Sequence, residues 1–156
     1  CYLNQLKSTF INKNSYGINM WKEINKEAKR LFNNCFKRKL VVTTAESCTG
    51  GMIASSIVSI DGSSNIFHSS FVTYSNEMKS KMLKIPNKLI NKNGAVSEIV
   101  AYNMASNVLN LMEADLSIAM GNGIGFTMGK CRSLGKNISF QSSSQYPNTH
   151  TMDWWK

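Results

Sequence analysis

Ser47 stands in the run Thr43-Thr44-Ala45-Glu46-Ser47-Cys48-Thr49-Gly50-Gly51, between a β-branched stretch and an apolar one. A serine at a tight strand-to-helix turn can present its hydroxyl to a ligand while nearby amides stabilise an oxyanion. The Gly-x-Ser-x-Gly elbow of α/β hydrolases is absent. Neither histidine is well placed to activate the hydroxyl. His68 falls in a predicted strand and His150 in the polar end of the chain. A lysine can replace histidine when burial or a neighbouring charge lowers its pKa. Lys79 and Tyr74 belong to the end of a predicted strand and the helix after it. Those elements can bring both groups to the sheet edge that carries Ser47. Taken singly, a turn serine is usually structural, and a helical lysine usually a solvated face.

The other reactive residues carry weaker signals. Glu46 reads as a charge at a helix start. Cys48 is either a nucleophile or, more commonly for its type, a small buried core thiol. Gly123-x-Gly125 is too short for a dinucleotide fingerprint. Trp154-Trp155 either stack on a partner or belong to a frayed tail. The cysteines at 1, 35, 48 and 131 include no CxxC pair, so neither a zinc site nor a disulfide framework is expected. A reduced, cytosolic thiol set is the default.

Several elements must position these residues. Trp21, Ile24, Ala28, Leu31 and Cys35 recur at helical spacing, and the basic Lys37-Arg38-Lys39 closes that helix. Leu40–Thr44 reads as a buried strand, ending where the Glu46–Gly51 segment begins. Met52–Ile60 reads as a helix, so Ser47 lies on a strand–turn–helix junction. Open α/β sheets bind ligands at such junctions, and free amides at the helix start can receive an anion. A turn at Asp61–Ser64 precedes a strand over Ile66–Tyr74. A short helix over Asn76–Leu83 follows, with Asn76 as its cap. Pro86 fits the first turn of another helix. Ser97 and Glu98 open an amphipathic helix marked by Val100, Met104, Val108 and Leu111. Leu116–Met120 is a short strand, followed by a glycine-rich stretch and a last strand at Asn137–Gln141. Residues 1–19 form a weakly ordered lead-in, 20–141 the domain and 142–156 a polar tail. Alternating strands and helices indicate a layered α/β fold.

Composition sets outer bounds. At 156 residues with 42% hydrophobic content, one domain can bury a core without metals or disulfides. The net charge of +9 is uneven: residues 1–40 hold nine basic and two acidic residues. That excess reads as a solvated face before it reads as a nucleic-acid or anionic-lipid surface. No apolar run is long enough to cross a bilayer, and no signal peptide is visible. A chain that starts at Cys1 reads as a piece of a longer reading frame.

Four ordered segments then combine: Thr43–Gly51, Gly62-Ser63-Ser64, Phe71-Val-Thr-Tyr-Ser-Asn-Glu77 with Lys79, and Gly94-Ala-Val-Ser-Glu98. Together they resemble the C-terminal domain of the CinA competence/damage-inducible family over about residues 22–119. The resemblance implies a three-layer α/β/α domain with a mixed sheet. It implies a metal-independent, cofactor-free amidase that converts nicotinamide mononucleotide to nicotinate mononucleotide and ammonia. Family members commonly assemble, so the resemblance also implies a homo-oligomer. Carried over by position, Ser47 would be the nucleophile, Lys79 its base, and Tyr74 a proton carrier or orienter. Thr49, Gly50 and Gly51 would line the site, and Gly62 and Ser63 would help shape it. Thr49 remains a second hydroxyl in the same turn.

After Met120 the chain departs from the family's Gly-Ile-Ala-Gly-Pro and Lys-Pro-Val-Gly stretches, and no Gly-Asp-Arg segment follows. This departure predicts a site without part of its wall and phosphate clamp, and a sheet lacking a strand or covering helix. Two other readings therefore stand beside the amidase. One is a non-catalytic remnant acting as an interaction module. The other is a nucleic-acid-associated protein using its basic N-terminal region.

Overall fold

The computed structural model describes residues 15–121, 124–131 and 136–143. Helix α1 (Ser15–Arg38) leads into strand β1 (Val42–Glu46), and helix α2 (Met52–Val58) follows after the Ser47 turn. A 3₁₀ turn (Ser63–Asn65) enters β2 (Phe67–Val72). Helices α3 (Asn76–Leu83), α4 (Asn87–Asn93) and α5 (Glu98–Leu111) come next. Strands β3 (Leu116–Gly121), β4 (Ile124–Cys131) and β5 (Lys136–Ser143) complete the described chain.

The sheet has the order β2-β1-β3-β4-β5. β1 runs parallel to both β2 and β3, whereas β4 and β5 are each antiparallel to the strand before them. The sheet is therefore mixed. β1 is central and buried along its whole length, which suits its continuous Val-Thr-Thr-Ala run. α1 and α2 cover one face, where Cys35, Val42, Ile66 and Leu116 form a cluster backed by Leu31 and Phe32. α3, α4 and α5 cover the other, where Leu83, Ile90, Val100, Met104 and Val108 pack on Ala45, Ala119 and Met128. The expected three-layer α/β/α architecture is thus the observed one.

Several boundaries differ from expectation, each for a physical reason. β1 extends two residues past Thr44, because the Glu46 carboxylate is satisfied by amides of the next helix and can end a buried strand. Ser75, not Asn76, caps α3: its side chain accepts the Met78 N–H at 3.1 Å. Pro86 stands at the cap position of α4 rather than in its first turn. Ser97 holds the cap position of α5 without capping it, since its hydroxyl donates to the Gly94 carbonyl. Leu111 is exposed, whereas Val100, Met104 and Val108 are buried as the periodicity requires. The glycine-rich region builds two strands, β4 and β5, where the composition suggested one. Glycine carries little strand propensity, and the ladder with β3 decides the matter. Most of the expected polar tail, including Trp154 and Trp155, lies outside the described residues, as does most of the lead-in. Among the described residues no helix is long and apolar enough to cross a membrane.

Candidate active site

Because β1, β2 and β3 are parallel, their carboxyl ends lie together. Ser47 follows β1 directly, and its N–H donates to the Met120 carbonyl of β3 at 2.9 Å. Thr73 follows β2, and its N–H donates to the Glu46 carbonyl at 2.8 Å. The chain then turns at Tyr74 and Ser75 into α3, which carries Lys79 back over this edge.

Lys79 is 2% exposed and Ser47 5% exposed. The Lys79 Nζ donates to Ser47 Oγ at 3.0 Å, to the Thr73 carbonyl at 2.9 Å and to the Tyr74 carbonyl at 3.0 Å. An ammonium has three protons, and here each has an acceptor. Loss of one proton leaves two N–H bonds held by the fixed carbonyls. The lone pair then faces the Ser47 hydroxyl, which is the geometry of a base poised on a nucleophile. Burial pushes the Lys79 pKa below the ordinary lysine value, opposed in part by the nearby Cys48 thiol. The structure therefore brings Ser47 and Lys79 together. Thr49 Oγ1 makes no such contact; it is buried without a hydrogen-bond partner.

Tyr74 enters the site through its backbone. Its carbonyl holds Nζ, while the side chain is 79% exposed. Gly50 and Gly51 form the turn with positive φ of 59° and 97°, a region costly for residues with a Cβ. Gly62 and Ser63 are not at this site. They lead into the amino end of β2, beside Val42, at the opposite end of the strands from Ser47. The expectation that they shape the same pocket within this chain is therefore corrected by the parallel register. Cys48, expected as a buried thiol, is exposed because the turn projects it outward. His68 lies exposed on β2, away from Ser47, and His150 falls outside the described residues.

The sequence offered little sign of what Glu46 does. It is fully buried, and its carboxylate accepts the N–H groups of Gly51, Ile53 and Ala54 at 3.1, 3.0 and 2.8 Å. It serves the helix start, as a charge there should, but from the end of the preceding strand. This corrects the expectation of free amides at α2, since those three are occupied. Cys48 and Thr49 follow Ser47 directly in the turn. Thr73 is the other residue missed, because a backbone carbonyl leaves no mark in a side-chain pattern. Among the described residues no group of three or more His, Cys, Asp or Glu could hold a metal ion. An apolar groove lined by Ile24, Leu31, Ile53, Ile57 and Ile118 lies between α1, α2 and β3 and includes neither Ser47 nor Lys79.

Comparison with known proteins adds a family to this geometry. The family described as the CinA C-terminal domain matches residues 24–129. A CinA-like protein of Prochlorococcus marinus (strain MIT 9312) is 44% identical over 120 residues, covering 77% of this chain and 28% of the relative. One from Colwellia psychrerythraea is 50% identical over 93 residues, covering 60% of this chain and 22% of the relative. The chain thus spans about a quarter of the length of these curated relatives. Among solved structures, the competence/damage inducible protein CihA of Agrobacterium tumefaciens aligns with a TM-score of 0.65 at 31% identity. That alignment covers 76% of this chain and 79% of the other. A CinA superfamily protein of Escherichia coli aligns with a TM-score of 0.66 at 27% identity, covering 77% and 76%.

Proposed function

The chain belongs to the CinA C-terminal domain family, and from that premise we propose that it is an amidohydrolase acting on nicotinamide mononucleotide. The observation that carries this reading is the buried 3.0 Å contact between Lys79 Nζ and Ser47 Oγ. Neutral Lys79 takes the Ser47 proton as Oγ adds to the carboxamide carbon. The carbonyl electrons move onto oxygen, for which main-chain N–H groups of the turn after Ser47 would serve as donors. Lys79 returns the proton to the departing nitrogen, the C–N bond breaks, and ammonia leaves an ester on Ser47. Lys79 then draws a proton from water, which opens the ester to the free carboxylate and restores Ser47.

Ser47 is favoured over Thr49 as nucleophile because only Ser47 meets the amine. Tyr74 orients Lys79 through its carbonyl. Thr49, Gly50 and Gly51 form the wall next to the nucleophile. No metal or cofactor enters these steps. The test is ammonia release from nicotinamide mononucleotide by the purified chain, by S47A and by K79A. Activity in the parent that disappears in both variants supports the reading. An inactive parent rejects it in favour of a non-catalytic member of the family, and full activity in either variant rejects the Ser47–Lys79 assignment.

A further inference from the structure

Thr73 is 1% exposed, and its Oγ1 is buried without a hydrogen-bond partner. A buried hydroxyl in that state disfavours folding relative to a methyl group of the same shape. Its surroundings suggest what the hydroxyl does. The Thr73 backbone is held at both ends, with its N–H on Glu46 and its carbonyl on Lys79 Nζ. Its side-chain direction follows from the pleat. Val72, one residue earlier, faces α2: its Cγ2 lies 3.5 Å from where a Cβ on Gly51 would sit. The Thr73 N–H bond to the Glu46 carbonyl carries the pairing with β1 one residue past β2, so the alternation of extended chain sends Thr73 to the α3 side. Phe71, on that same face, packs against the cluster containing Leu83 of α3. Lys79 descends from the same helix.

We propose that the Thr73 hydroxyl is a positioning group for Lys79, accepting a proton of its ammonium while the substrate is bonded to Ser47. This inference rests on the Ser47–Lys79 reading above. In the free protein the three Nζ protons go to Ser47 Oγ, Thr73 O and Tyr74 O. Once Oγ has bonded to the substrate carbon and Lys79 holds the transferred proton, Oγ is an ether oxygen and a poorer acceptor. The two carbonyls retain two protons, and the Thr73 oxygen takes the third. The third proton is thereby kept from returning to Oγ until the leaving nitrogen accepts it and the C–N bond breaks. An interaction made only at this stage raises kcat without tightening substrate binding.

The experiment compares kcat, KM and Tm of the full chain with T73V, T73S and S47A, using ammonia release from nicotinamide mononucleotide. For T73V we expect a Tm at or above the parent's. We expect its kcat to fall about tenfold, with KM changed less than about twofold. T73S, which keeps the hydroxyl, should recover most of the loss. A parent-like kcat in T73V, with S47A inactive, overturns the inference alone. A loss that T73S fails to recover overturns it too, because shape rather than the hydroxyl would then be the cause. An inactive parent, or an active S47A, removes the functional reading and the inference with it.

Discussion

Lys79 Nζ lies 3.0 Å from Ser47 Oγ, although 32 residues separate them in the chain. The contact exists because β1 and β2 are parallel and adjacent, so the turns after both strands meet at one edge. α3 then directs the lysine stem back across that edge. Two main-chain carbonyls fix the amine, so its approach to Ser47 does not depend on a flexible partner.

Removing either member should abolish most of the proposed amidase activity. For K79A we predict a fall of roughly 10²–10⁴-fold in kcat, the usual contribution of a positioned acid–base group. S47A should fall at least as far. Steady-state ammonia release, with circular dichroism to verify folding, is the check. A K79A variant retaining a tenth or more of parental kcat would contradict the assignment.

The lowered Lys79 pKa predicts how activity and stability change with pH. Only the neutral amine can accept the Ser47 proton, so kcat/KM should rise with pH through the lowered value, below the ordinary lysine range. Stability has the same sign. Between the folded pKa and the unfolded value, the unfolded chain binds more protons, so stability increases as pH rises. Below the folded pKa the full cost of burying the charge is present. K79M carries no such charge, so the parent's stability relative to K79M should rise as pH increases from neutral toward about 10. Urea unfolding of both proteins at several pH values measures this. A relative stability that stays constant or falls with pH would refute it.

Glu46 should be worth more to stability than to chemistry. Its carboxylate accepts three backbone N–H groups while fully buried. E46Q places an amide donor against amide donors and leaves some of them unpaired, at a cost of about 1–3 kcal/mol. Denaturant unfolding should show the loss. A variant within about 0.5 kcal/mol of the parent, the range of an ordinary surface substitution, would mean the helix start is held by something else.

The two described free thiols should differ in reactivity. Cys48 is exposed, whereas Cys35 is buried under α1 and its pKa is raised to about 11, chiefly by that burial. In a background lacking Cys1 and Cys131, a disulfide reagent should label Cys48 in the folded protein and Cys35 only after unfolding. Mass mapping of the label distinguishes them. Early labelling of Cys35 would show that α1 does not shield it.

The local chain determined more than the element types. The β-branched run at Val42–Thr44, the positive-φ turn at Gly50-Gly51 and the periodicity of α5 are each decided by side chains near in sequence, and each could be read there. The order of motifs likewise identified the family, and with it Ser47 and Lys79 as a pair. Tertiary structure decided everything that depends on strand register and main-chain groups. Gly62 and Ser63 belong to the far end of the sheet because β1 and β2 run the same way, a fact that no local pattern encodes. The Thr73 and Tyr74 carbonyls hold the lysine, and a carbonyl is common to every residue type. The burial that lowers the Lys79 pKa comes from a helix packed over the strand ends. A lysine in a polar octapeptide gives no sign of it until the fold removes it from water.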